Sequence, residues 1–201
     1  MKRYLTEVIG TCFLTLAIAG IGEAMAVGAM LIAIMYMCHD GTYNPAVAVG
    51  AVMSKFLDKD HLVGVIFAQI IGACIGLCLI WVWSNKIWMP QTMLLSPWSL
   101  ILLEAVMMFL FTLVYLVMEE KHRDYKAHVY GLAIGIAFMA IWFFGGLYNP
   151  AVLIASFICA LVKGMLTKEL VMAMMACLIG PFIGAIVAAW GYDRFHRKEM
   201  L

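Results

Sequence analysis

The pentapeptide Tyr-Asn-Pro-Ala-Val occurs twice, at Tyr43–Val47 and at Tyr148–Val152, 105 positions apart in a chain of 201 residues. Each copy leads into an apolar run of about a dozen residues, Pro45–Phe56 and Pro150–Leu161. At about 1.5 Å per helical residue such a run is too short to cross a hydrocarbon core of about 30 Å. Asn is a favoured helix N-cap, and Pro at the first helical turn gives up no hydrogen bond. Each copy therefore predicts a short helix that starts abruptly at its Asn-Pro step. Inside apolar sequence, a break of that kind is tolerated only where the backbone is buried in protein or lines a wet cavity.

The rest of the chain supplies the apolar surroundings. It is 66% hydrophobic with a mean hydropathy of +1.00, and 12% of its residues are charged, against about 25% in a soluble domain. Six runs read as membrane spans: Tyr4–Ile21, Glu23–Cys38, Leu62–Trp83, Trp98–Met118, Ala127–Phe144 and Leu170–Trp190. With both termini cytoplasmic, six crossings put ten Lys and Arg inside: Lys2, Arg3, Lys55, Lys59, Lys121, Arg123, Lys126, Arg194, Arg197 and Lys198. Only Lys86, Lys163 and Lys168 fall outside. This bias supports an even number of spans and makes the two short helices re-entrant. No cleavable leader is read at the first span, which runs directly from Lys2-Arg3. A net charge of +1 gives no sign of a nucleic-acid partner. The six cysteines form no Cys-x-x-Cys pair and no Cys/His cluster with zinc spacing. No metal, no cofactor and no nucleophile–base constellation is read, so an enzyme is not expected.

The repeat extends beyond five residues. Glu7 in "TEVIGT" answers Glu104 in "LEAVMM", and "QIIGACIG" matches "LIGPFIG", pairing Gly72 with Gly180 and Gly76 with Gly184. The order in each half is a Glu-bearing span, a second span, the Asn-Pro half-helix and a glycine-bearing span. Three crossings per half make the second half enter from the opposite side, which gives inverted repeats. The expected fold is an all-α membrane protein of six transmembrane helices plus two re-entrant half-helices. The chain reads as one domain over 1–201, with halves at about 1–97 and 98–201. Inverted symmetry brings the two half-helix N-termini together near the midplane, each carrying about half a positive charge. Two positive ends and two Asn amides then face one point, which favours the oxygen of a small neutral molecule and repels cations.

On these residues the chain resembles the aquaporin (major intrinsic protein) family: Glu7 in "EVIGT", "NPAVAVG", "AQIIGA" at Ala68–Ala73, Glu104, "GLAIG" at Gly131–Gly135, the second Asn-Pro-Ala and "IGPFIGA" at Ile179–Ala185. The resemblance covers essentially the whole chain. It implies six tilted helices and two half-helices around one pore, a homotetramer with a pore in each subunit, and passive passage of water or small neutral solutes across the lipid bilayer. It also implies that Asn44 and Asn149 are the pore donors, held by Pro45, Ala46, Pro150 and Ala151, and that Glu7 and Glu104 brace the half-helix loops by accepting backbone N–H bonds.

One position departs. The family normally has Arg directly after the second Asn-Pro-Ala, where it narrows the outer pore, and this chain has Val152. No Lys or Arg lies within ten residues on either side. Aligning on Gly131–Gly135 places Trp142 at the fifth-span filter position, whereas counting back from Asn149 gives Ala137; the glycines are the better anchor. The second-span position falls near Ala26 or Val27. The expected outer filter is Val27, Trp142, Gly146 and Val152, apolar with one aromatic. Such a filter admits glycerol, urea, ammonia or peroxide as well as water, with no ranking among them. For Trp142, a ring turned to lipid is the competing reading. His39, beside Asp40 at the cytoplasmic mouth, either holds the loop or titrates near neutrality as a gate. A second function class stays open: a membrane protein that keeps the fold for assembly with little conduction.

Overall fold

The computed structural model describes residues 1–38, 41–90, 95–122 and 127–196. They form eight α-helices: α1 Lys2–Gly20, α2 Ala24–Met37, α3 Pro45–Met53, α4 Lys59–Ser84, α5 Pro97–His122, α6 Ala127–Trp142, α7 Pro150–Val162 and α8 Lys168–Gly191, followed by a π-helical turn at Tyr192–His196. No strand occurs among the described residues. Helices α4, α5 and α8 are each long and apolar enough to cross a membrane alone. At 19, 14 and 16 residues, α1, α2 and α6 are shorter.

Close-packing glycines set the helix pairs. A Cβ on Gly72 of α4 would lie 2.3 Å from the carbonyl oxygen of Val8 on α1, and one on Gly184 of α8 would lie 2.2 Å from that of Ala105 on α5. Gly28 of α2 and Gly135 of α6 approach each other's carbonyls in the same way, at 2.9 and 2.8 Å. Association of helices in lipid depends on such small residues, because burying apolar surface gains little when the solvent is itself apolar. The sequence pairs Gly72/Gly180 and Gly76/Gly184 thus do equivalent jobs in α1–α4 and α5–α8, while Gly28 and Gly135 join the inverted repeats at the centre.

The re-entrant path follows from contacts at the two ends. The start of α1 meets the start of α4 through a Tyr4–His61 hydrogen bond of 2.9 Å, and the turn after α3 meets the turn after α8 through Phe56 and Tyr192. At the far end, Trp142 at the end of α6 reaches Gly22 between α1 and α2, and Lys163 after α7 lies over the Trp81 ring of α4. Each half-helix therefore starts in the interior and returns to the side its loop came from. Helix α3 stops at Met53, short of the expected Phe56, because Lys55 takes a left-handed φ of 63° and Phe56 N–H bonds back to Ala51 O at 2.8 Å. This is the usual way a helix end satisfies its last carbonyls, here without the customary glycine. Helix α7 runs one residue past the expected Leu161.

Candidate functional site

The two Asn-Pro steps build the same local structure. Tyr43 and Tyr148 both sit in the left-handed region, with φ of 51° and 54°. The turn they make delivers Asn44 and Asn149 in extended conformation as N-caps. Asn44 Oδ1 accepts from Ala46 N–H, and Asn149 Oδ1 from Ala151 N–H, each at 3.0 Å. Pro45 and Pro150 occupy the first helical position. The amide nitrogens cross between the loops: Asn44 Nδ2 donates to Tyr148 O at 2.7 Å and Asn149 Nδ2 to Tyr43 O at 2.9 Å. A side-chain amide carries two N–H hydrogens, so this crossed pair engages one from each Asn. The two helix N-termini are thereby held face to face in the protein interior, with Asn44 and Asn149 2% and 1% exposed.

Each loop is tied to a buried carboxylate. Glu7 of α1 accepts from Thr42 N–H, the Thr42 hydroxyl, Tyr43 N–H and Gln69 Nε2, at 2.8 to 2.9 Å. Glu104 of α5 accepts from Leu147 N–H at 2.8 Å and Tyr148 N–H at 2.9 Å, and also meets the Cys177 thiol of α8. The loop N–H groups would otherwise be orphaned in an apolar interior, at about 1–3 kcal/mol each. Gln69 and Cys177 are 108 positions apart, the same interval as the glycine pairs. They are the equivalent helpers in the two halves, and the shared interval is the sequence signal that could have found Cys177.

The far end holds a cavity of about 640 Å³. Trp142, Gly146, Leu147, Leu153 and Cys177 line it, and Glu23 is the charged side chain on its wall. Trp142 is fixed within the fold: its Nε1 donates to Gly22 O at 2.7 Å, its ring lies 5.9 Å from that of Phe138 and 6.4 Å, edge to face, from that of Tyr148. These contacts hold the partly buried ring between the α1–α2 turn and the second Asn-Pro loop. Trp142 and Gly146 thus share one wall. Val27 and Val152 are fully buried and do not contribute to the lining. The side chain after Val152, Leu153, does. His39 lies outside the described residues. No group of three or more His, Cys, Asp or Glu suited to a metal occurs among the described residues.

A family model described as Major intrinsic protein matches residues 1–192. The chain is 31% identical to the Glycerol uptake facilitator protein-like 6 of Lactiplantibacillus plantarum over an alignment of 216 positions, spanning 94% of this chain and 96% of that protein. Its fold superposes on the X-ray structure of the aquaglyceroporin from Plasmodium falciparum with a TM-score of 0.84 at 17% identity, covering 98% of this chain and 97% of that one.

Proposed function

Because this chain belongs to the major intrinsic protein family, and is therefore an integral membrane channel and not an enzyme, we propose that it passes small neutral solutes, glycerol-sized or smaller, together with water. The observation that carries this reading is the crossed asparagine pair. Its remaining N–H donors lie where the positive ends of α3 and α7 meet, so a hydroxyl or carbonyl oxygen is stabilised there and a cation is not. The apolar character of Trp142, Gly146, Leu147 and Leu153 on the cavity wall favours solutes with a hydrocarbon side over bare water, in keeping with the name of the Lactiplantibacillus relative. Urea, ammonia and peroxide fit the same chemistry. In this reading both termini are cytoplasmic, the halves at about 1–97 and 98–201 form one channel domain, and four copies assemble, each with its own path.

The test is stopped-flow light scattering on proteoliposomes with glycerol and water gradients. The expected result is glycerol flux well above that of protein-free vesicles. A second reading, a fold kept for assembly with little conduction, draws on the near-complete burial of Asn44, Asn149, Val27 and Val152. Flux equal to that of protein-free vesicles for water, glycerol and ammonia would select it.

A further inference from the structure

The far-end cavity carries a chemistry that the passage of neutral solutes does not call for. One carboxylate, Glu23, and three aromatic side chains, Trp88, Trp142 and Phe143, stand on its wall. Among the described residues that line it there is no Lys, Arg or His.

Glu23 is set in place by the backbone around it. Gly22, at a φ of 74°, turns the chain from α1 into α2. Its N–H bonds to Ala17 O at 2.9 Å, and its carbonyl accepts from Trp142 Nε1 at 2.7 Å. Glu23 O then accepts from Val27 N–H at 3.0 Å as α2 begins. The Glu23 side chain occupies the N-cap position but makes no capping hydrogen bond to the helix end. It is exposed, so its carboxylate is available to whatever enters the cavity.

The helix ends around the cavity leave that charge unbalanced. Helices α1 and α6 finish there, at Ile21 and Trp142, and α2 and α5 start there, at Ala24 and Leu100. Each C-terminal end carries about half a negative charge and each N-terminal end about half a positive one, so the four nearly cancel. A cleft with apolar walls and one sign of charge focuses its field on a counter-ion. Aromatic faces add to the attraction of a cation, most of all one that gives up little hydration to reach them. A sodium ion holds its water, whereas the alkyl groups of an organic ammonium ion gain by leaving it.

We propose that this cavity is a binding site for a small alkylammonium cation, whose charge sits at Glu23 and whose alkyl groups face Trp88, Trp142 and Phe143. The positive helix ends at the two asparagines turn a cation back. A bound alkylammonium ion therefore fills the mouth without passing, and blocks neutral solutes. The block rests on the channel reading above; the binding does not.

The test is calorimetric titration of the full chain, in a non-ionic detergent free of choline lipids, with tetramethylammonium chloride. Sodium chloride and the neutral tert-butanol are the controls. Saturable binding of tetramethylammonium alone is expected, weakened about tenfold in Glu23→Gln and about fivefold in Trp88→Leu. Glu23→Gln keeps the shape of the side chain and removes no capping bond, so it decides the matter should Trp88→Leu not fold. No binding by wild type, equal binding by Glu23→Gln, or equal binding of sodium overturns the site. In proteoliposomes that pass glycerol, saturating tetramethylammonium should cut the flux at least fivefold in wild type. Flux that persists there puts the cation off the path and overturns the proposal. If wild-type flux matches that of protein-free vesicles, the channel reading fails, and the titration still decides the site.

Discussion

The first and second Asn-Pro loops start from the same five residues and reach the same turn, yet their surroundings differ. The first is enclosed: Glu7 collects four donors, two of them from the side chains of Thr42 and Gln69, and Gln69 Nε2 also donates to the Thr42 hydroxyl at 2.8 Å. The second has a plainer brace, two backbone N–H groups and the Cys177 thiol, and borders the cavity through Leu147 and Cys177. What the halves share is what positions the asparagines: a left-handed Tyr, a capping Asn, a Pro and a carboxylate on two consecutive N–H groups. What they do not share is the setting: side-chain hydrogen bonds surround the first loop, whereas the second borders a cavity.

That contrast can be broken by experiment. The largest effect is expected from Glu7→Ala, which strips four buried donors of their acceptor; a loss of more than about 3 kcal/mol, read as melting in detergent, follows from the cost of orphaned groups. Glu104→Ala should lose less, about 2–3 kcal/mol, because two N–H groups and a weak thiol donor are left. Equal losses would show that the Thr42–Gln69 network adds nothing. Next is Val152→Arg. At a fully buried position the added bulk alone is expected to cost about 2 kcal/mol, with the unpaired charge adding to it, and, where the protein still folds, the substitution should cut glycerol flux more than water flux. Unchanged selectivity would place Val152 off the path. The helper pair should differ in the same sense as the acids, with Gln69→Leu costing about 1–2 kcal/mol and Cys177→Ala under about 1 kcal/mol. The smallest effect sharpens the open end: Trp142→Phe removes the bond to Gly22 O for about 1 kcal/mol and should raise glycerol flux by loosening the cavity wall.

The half-helices, the glycine pairs and the two acids were legible because each leaves a short-range or repeated mark: an Asn-Pro step in apolar sequence, a fixed interval between copies, a lone carboxylate in a span. The crossed bonds from Asn44 to Tyr148 O and from Asn149 to Tyr43 O were not, since they depend on how the two loops face each other across about a hundred residues. The end of α3 was misjudged by three residues because Lys55 carries none of the signals of a left-handed cap. Trp142 was placed by motif alignment, but its orientation needed the Gly22 carbonyl. Tyr115 and Tyr130 both donate to Glu119, a bridge between two helices that no repeat or motif in the sequence marks. Around the cavity, residue type was readable and burial was not: Leu153 lines it, while Val27 and Val152 are buried away from it.

The central claim is that the crossed asparagines, at the meeting point of two positive helix ends, select neutral solutes. Asn149→Asp tests it most directly, because it replaces the donor to Tyr43 O with a negative oxygen and leaves the rest of the turn in place. Glycerol flux and cation conductance of the reconstituted variant should move together, flux falling and a cation leak appearing that wild type lacks. Wild-type flux with no cation leak in Asn149→Asp would contradict the account.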